Sequence, residues 1–425
     1  MGNQSRYIVG CDLNDMVTQL SYFELNKDEP ETLISDGENE RLGIPTVLCK
    51  RRKVNQWSIG TEAIRLIEKD GEAEVNKLVS LALSDSKISI DEEEFTGIDL
   101  LILFLRKSLN LLSVYVSMDQ IDSFIFTVPK LDSSMLSVLE RVSVALPVGR
   151  DKIAFQSYSE SVFYYMLHQE EELFKNEVVV LDHDGADINC YYMHLNHRTK
   201  PIVGMVDEYF FDDFESPDSE NATEEEKHLA DEKLLSMLHD FLMAKTVRAV
   251  YLLGDGFDGE WCKKTVSFLC MGRRVFQGKN MYSKGACYYG KDRIEPTGLN
   301  ETYVFLGRDK LQFNLGMYVE HNGEEEYIAL ADGGENWFES ESKLQLLLAD
   351  GNKIKLIVTP LDGKEIRDIT INLDGLKQRP LKTTRLELNV SFKSGTKVYA
   401  CVKDLGFGEI FPSTGQYWEK EVEIF

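Results

Sequence analysis

"YIVGCDLNDMVTQL" (residues 7–20) and "EVVVLDHDGADINCYYMHLN" (177–196) share one pattern: an apolar strand, an aspartate-bearing turn and a returning apolar strand. Apolar alternation on both sides of each turn predicts two hairpins. Asp12 and Asp182 stand where their strands reach the turn, and Asp and Asn suit such places because their side chains bond nearby backbone. Repetition of the unit predicts two like halves facing a cleft.

Outward from the first hairpin the chain reads as α/β. "IPTVLCKRRKVNQWSIG" (44–60) predicts a hairpin with a basic turn, and helical periodicity follows in "TEAIRLIEK" and "TGIDLLILFLRKSLNLLSVYV" (96–116). "IDSFIFTVPK" is a buried strand ended by Pro129, and "LDSSMLSVLERVSVAL" is a helix capped by Asp132 or Ser133. Strand-like "DKIAFQSYSE" then leads into the helix "SVFYYMLHQEEELF". After the second hairpin, the acidic residues 207–227 read as a solvated, mobile loop. A helix, the strand "VRAVYLLGDGF", another helix and "YSKGACYYG" (282–290) follow. From about residue 300, short alternating strands separated by Asp-Gly and Ser-Gly turns predict an antiparallel sandwich.

Bulk properties narrow the function. The 425 residues are 43% hydrophobic and 28% charged, with a formal net charge of -25. That charge excludes partners held by counterion release from phosphates, so no nucleic acid is expected. The seven cysteines (11, 49, 190, 262, 270, 287 and 401) are scattered and lack CxxC spacing, which suggests neither a disulfide framework nor a zinc site. No apolar run approaches a membrane span, the longest being of the kind "IDLLILFL" (98–105), and no signal pattern opens the chain. A cytoplasmic protein without a membrane partner is the expectation. "MHLNHR" lacks a second ligand pair nearby, and His183 reads as incidental to its turn.

Taken together, "GCDLND", "VLDHDGAD" and "YLLGDGFDG" resemble the first phosphate, second phosphate and adenosine loops of the DnaK-type (seventy-kilodalton heat-shock) chaperones, members of the actin-like ATPase superfamily. "IPTVL" with "SIGTEAIR", "FIFTVPKLDSSMLSVLERVSVALPV", "FQSYSESVFYYML" and "YSKGACYYG" are similar to that family's intervening segments. "LDGLKQRPLKTTRLELNVSFKSGTKVYACVKD" resembles the end of its β-sandwich. The resemblance implies an α/β fold: an actin-like ATPase (ribonuclease H-like, duplicated) domain over residues 1–296, with halves of about 5–176 and 177–296. An all-β sandwich over 300–425, lacking the helical lid, completes it. It implies catalytic positions at Asp12, Glu160 and Asp182, with Asp12 and Asp182 holding hydrated Mg²⁺ beneath the phosphates of ATP or ADP. Gly10, Asn14, Asp15, Asp184, Gly185, Gly254, Asp255 and Gly256 would line the nucleotide.

The departures from that pattern point away from ordinary catalysis. Phosphate loops use glycine so that backbone N–H groups approach the anion, yet here the loops carry Asn14-Asp15-Met16, Asp187 and Asp255. Each added carboxylate would repel phosphate by on the order of 1–4 kcal/mol at about 4 Å. The position of the family's catalytic lysine is Ile64, followed by Arg65. The resemblance therefore implies weak or absent binding of ATP or ADP with Mg²⁺, and a scaffold or pseudo-ATPase whose sandwich engages protein or peptide partners. An active Mg-ATP-binding chaperone is the alternative, so enzymatic activity stays open.

Overall fold

The computed structural model describes residues 5–35, 42–51, 56–184, 187–211, 214–217, 221–361 and 363–424. The protein is mixed α/β with several sheets, and it divides into two compact units, residues 1–304 and 305–425.

In the first unit one strand order occurs twice. The first sheet runs Ile153–Ser157, Ile121–Val128, Tyr7–Asp12, Val17–Glu24, Glu31–Thr32, with Ile44–Pro45 also paired to Val17–Glu24. The second runs Arg274–Gly278, Val247–Leu253, Glu177–His183, Ile188–Asn196, Ile202–Phe210, with Tyr303–Phe305 on its far edge. In both, the first three strands are mutually parallel and the next two join antiparallel. Parallel strands need buried faces, and the central strands supply them: Ile8, Val9 and Cys11 in one sheet, Val178 to Leu181 in the other, are inaccessible to solvent.

Two helices sew these halves together by exchange. Tyr158–Leu167 leaves the first sheet, its N-terminus capped by the Ser157 hydroxyl, and packs against Ile202–Phe210 of the second sheet, where Phe163 covers Gly204. Met281–Ile294 leaves the second sheet and lies on Tyr7–Asp12 of the first. The helices cross backbone to backbone. A Cβ on Gly285 would sit 2.1 Å from the Ser161 carbonyl oxygen, so only glycine fits there.

Several sequence expectations meet a different outcome. The 96–116 helix stops at Leu112, because Ser113 closes its last turn. Residues 207–210 are not loop; they complete the strand Ile202–Phe210, paired to Ile188–Asn196 through Asp207 and Tyr209. Thr223, in a reciprocal capping box with Glu226, then starts the helix Glu224–Leu242. Asp132 is the residue that caps Ser133–Ala145.

The second unit holds two four-stranded sheets with antiparallel neighbours. One is Glu324–Ala331, Phe313–His321, Lys353–Pro360, Arg367–Asn372; the other is Ser342–Leu347, Arg385–Ser394, Lys397–Asp404, Tyr417–Glu423. Alternate residues of both sheets enter one core, among them Phe313, Leu315, Leu356 and Val358 with Leu386, Leu388, Val390 and Val402. Two of these strands, Phe313–His321 and Glu324–Ala331, went unread in the sequence, although Asn322-Gly323 between them is a strong hairpin signal.

A buried ion pair closes this unit. Both Asp404 carboxylate oxygens accept from Arg379 at 2.7 and 2.8 Å, and they also take the amides of Gly406 and Thr414 and the Thr414 hydroxyl. These donors hold the Asp404 carboxyl well below the usual carboxylate range despite its burial. Removing one partner strands the other charge. Arg379→Met is expected to destabilise residues 305–425 by about 3–5 kcal/mol, measured as faster amide exchange in Arg385–Ser394 and Lys397–Asp404 during denaturant titration.

Candidate functional site

Asp12 ends the strand Tyr7–Asp12 and Asp182 lies one residue before the end of Glu177–His183, the corresponding strand of the other half. In α/β sheets such strand ends are where ligands commonly sit. Here each carboxylate is held by a tyrosine. The Tyr158 hydroxyl donates to Asp12 Oδ1 at 2.5 Å, and the Tyr282 hydroxyl donates to Asp182 Oδ2 at 2.8 Å.

The tyrosines come from the first turns of the two exchanged helices, and their rings stack with centroids 3.7 Å apart and planes 8° from parallel. The Tyr191 ring meets Tyr282 edge-on. Asp12 is 5% exposed, Tyr158 4% and Tyr282 6%, while Asp182 at the other end is half-buried.

Electrostatics follow from that burial. Desolvation pushes the Asp12 carboxyl up to about 8, with the nearby Asp182 charge adding to it and hydrogen bonds from Tyr158 and Asn14 opposing it. Burial likewise raises Asp182 to about 6, against the Tyr282 hydrogen bond and with Asp184 reinforcing the rise. Among the described residues no cation acts on either carboxylate. At neutral pH Asp12 is therefore mostly protonated and Asp182 mostly charged.

The other expected site residues are drawn into the framework. Gly10 is where Met281–Ile294 touches the strand, since a Cβ there would stand 2.0 Å from the Ser283 carbonyl oxygen. Asn14 joins the cluster: its amide donates to the Tyr158 hydroxyl at 3.0 Å while its Oδ1 accepts the amides of Met16 and Val17. Asp15 faces away and accepts the amides of Val79 and Ser80 and the Ser80 hydroxyl, which anchors the start of the helix Leu78–Leu83. Glu160 is fully buried in the first turn of Tyr158–Leu167, beside Tyr164.

Asp184 is exposed, and Gly185 lies outside the described residues. Gly254, at φ +89°, and Gly256 make room for His183, whose carbonyl oxygen and ring would each be struck by a Cβ at those positions. His183 Nδ1 donates to the Asp187 carbonyl oxygen and Nε2 accepts from Ser216, with Phe214, Phe257 and Trp261 edge-on around the ring. Burial pushes this histidine down, so it is neutral at physiological pH. Asp255 is ion-paired with Lys279 at 2.6 Å, which also holds Asp258.

The residues that organise the site, Tyr158, Tyr282 and Tyr191, were not singled out from the sequence. The signal available was positional: each half places a tyrosine at the start of the helix that crosses to the other half. Hydrated Mg²⁺ keeps several waters and needs open space beside its carboxylates. The Tyr158–Tyr282 stack lies between the two acids and its hydroxyls take one oxygen of each carboxylate, Asp12 Oδ1 and Asp182 Oδ2, so an ion there would have to share the acids with the phenols. Among the described residues no group of three or more His, Cys, Asp or Glu side chains is placed to hold a metal.

Fold and site thus define a two-unit α/β protein whose first unit repeats one sheet topology around a tyrosine-bridged pair of acids. Residues 29–308 match the C-terminal model of a family of unknown function, DUF5716, and residues 310–424 match a domain of unknown function, DUF8552. The first match spans more than half of the chain, which belongs to the DUF5716 family. No curated protein matches it.

The raised carboxyls fix the sign of a pH effect. Between about pH 4 and 8 the folded chain holds a proton on Asp12 that the unfolded chain has released, so stability is greatest at the acid end and falls as pH rises towards 8. Asp12→Asn removes that dependence and is expected to be more stable than wild type at pH 8 by on the order of a few kcal/mol. Denaturant unfolding at pH 5, 6.5 and 8 checks this; equal pH slopes in both proteins would contradict it.

Proposed function

We propose that this protein is a degenerate DnaK-like scaffold: an actin-like first unit whose nucleotide cleft is closed by its own side chains, followed by a β-sandwich that engages protein or peptide partners. The Tyr158–Tyr282 stack carries this reading, because its hydroxyls occupy one oxygen of each acid that would serve a nucleotide-bound cation. The repeated sheet topology and the exchanged helices support the actin-like assignment. The shared core of the two antiparallel sheets supports the sandwich. Ile64, which the resemblance sets at the position of the DnaK-type chaperones' catalytic lysine, packs against the buried Val47, Cys49 and Ala63, so that side chain offers no cation to position an attacking water.

Acids that depart from the chaperones' loop pattern are committed elsewhere. Asp15 anchors a helix, and Asp255 is held by Lys279. What the cleft supplies on this reading is rigidity: a bridge that fixes the two halves of the first unit. Calorimetric titration of MgATP and MgADP into the full chain should give no saturable heat at millimolar ligand. Saturable heat that disappears in Asp182→Ala would overturn the proposal and establish an active nucleotide-binding chaperone.

A further inference from the structure

The hairpin of Phe313–His321 and Glu324–Ala331 runs beyond the core of the second unit. Full burial ends at Met317 on one strand and begins again at Leu330 on the other; Val319 and Ile328 are half-buried against the core, and the rest of residues 318–327 form an exposed arm. Tyr318 pairs with Tyr327 and Glu320 with Glu325 on one face; Val319 pairs with Glu326 and His321 with Glu324 on the other. The two tyrosine rings meet edge to face at 5.4 Å, and Tyr318 is 55% exposed.

Among the described strands, Glu324–Ala331 has a hydrogen-bonded neighbour on one side alone. Its other edge offers backbone donors and acceptors flanked by Glu324, Glu325 and Glu326. Charges on an edge strand deter pairing with an identical edge, and in a chain of net charge -25 a second copy would bring like charge to like. A strand of opposite charge meets no such barrier. The arm already receives one ammonium, for Lys382 Nζ lies 2.8 Å from Glu320 Oε1.

We propose that the free edge of Glu324–Ala331 binds a basic, extended protein segment by strand addition, with its lysine or arginine side chains set on one face against Glu325 and the Tyr318–Tyr327 pair or on the other against Glu324 and Glu326. Main-chain hydrogen bonds supply affinity in this mode and alternate side chains supply selection. A cation over a tyrosine face gains further attraction. The inference rests on the reading of residues 305–425 as the partner-binding unit, and it names the chemistry of the partner.

The probe is a fluorescein-labelled nine-residue peptide of alternating lysine and valine, titrated into the full chain and followed by anisotropy at low and physiological salt. Saturable binding is expected, weakening as salt rises. The triple variant E324Q/E325Q/E326Q should bind about tenfold more weakly and Tyr318→Ser several-fold more weakly. E68Q/E224Q/E225Q, which removes three exposed charges from helices of the first unit, should change affinity less than about twofold. A peptide N-methylated at alternate amides should lose binding, and amide exchange across residues 324–329 should slow when the unmodified peptide is bound.

Equal binding by the arm triple variant, or by the N-methylated peptide, overturns the proposal in favour of diffuse charge attraction. Failure to bind any extended peptide, whether Lys/Val, Ser/Val or Glu/Val, overturns it together with the reading of this unit as partner-binding.

Discussion

Two carboxylates withdrawn from solvent, Asp12 fully and Asp182 in part, with no cation among the described residues acting on them, set the terms for the first unit. A lone ionised carboxylate in a dry interior is costly unless protonated or hydrogen-bonded. Asp12 and Asp182 are answered by both means, a raised proton affinity and a phenolic hydroxyl on each. The phenols belong to the first turns of the exchanged helices, so satisfying the acids fixes where those helices start. Their start fixes the crossing at Gly285 and Ser161, and the crossing seats Met281–Ile294 on Gly10. The glycine in "VGCD" and the glycine in "SKGAC" are thus consequences of one geometric demand.

The periodic parts of this molecule were legible and the reciprocal parts were not. Apolar alternation located the hairpins of residues 7–24 and 177–196 and most strands after 340, because those side chains enter a core and the pattern records it. Residues 207–210 were misread because four acids in seven positions resemble a solvated loop, whereas the strand they finish is held by its backbone. The arm at 318–327 escaped for a related reason: Val319 is its one side chain packed against the core, too little to set up an alternation, and only Asn322-Gly323 marks it.

At the site, sequence reading located the acids and missed their partners. Asp12 and Asp182 stand out because turns concentrate them, but a tyrosine within "FQSYSESVFYYML" is one aromatic among several. Nothing local separates Tyr158, which reaches Asp12 in another strand, from Tyr164, which meets Tyr289 on the neighbouring helix. That distinction depends on which helix crosses to which sheet, a property of topology and not of any window of sequence.

The polar residues of these loops acquire a physical sense once their contacts are known. A loop that cradles phosphate must keep its amides free and its potential positive. Asp15 consumes two amides of the helix Leu78–Leu83, and Asn14 consumes two of its own turn. His183, neutral and ringed by Phe214, Phe257 and Trp261, fills the volume that Gly254 and Gly256 vacate. These groups serve contacts within the chain, and they share one framework because the tyrosine bridge links the two strand ends. A change at either strand end therefore bears on both halves, since it leaves one acid without its phenolic partner.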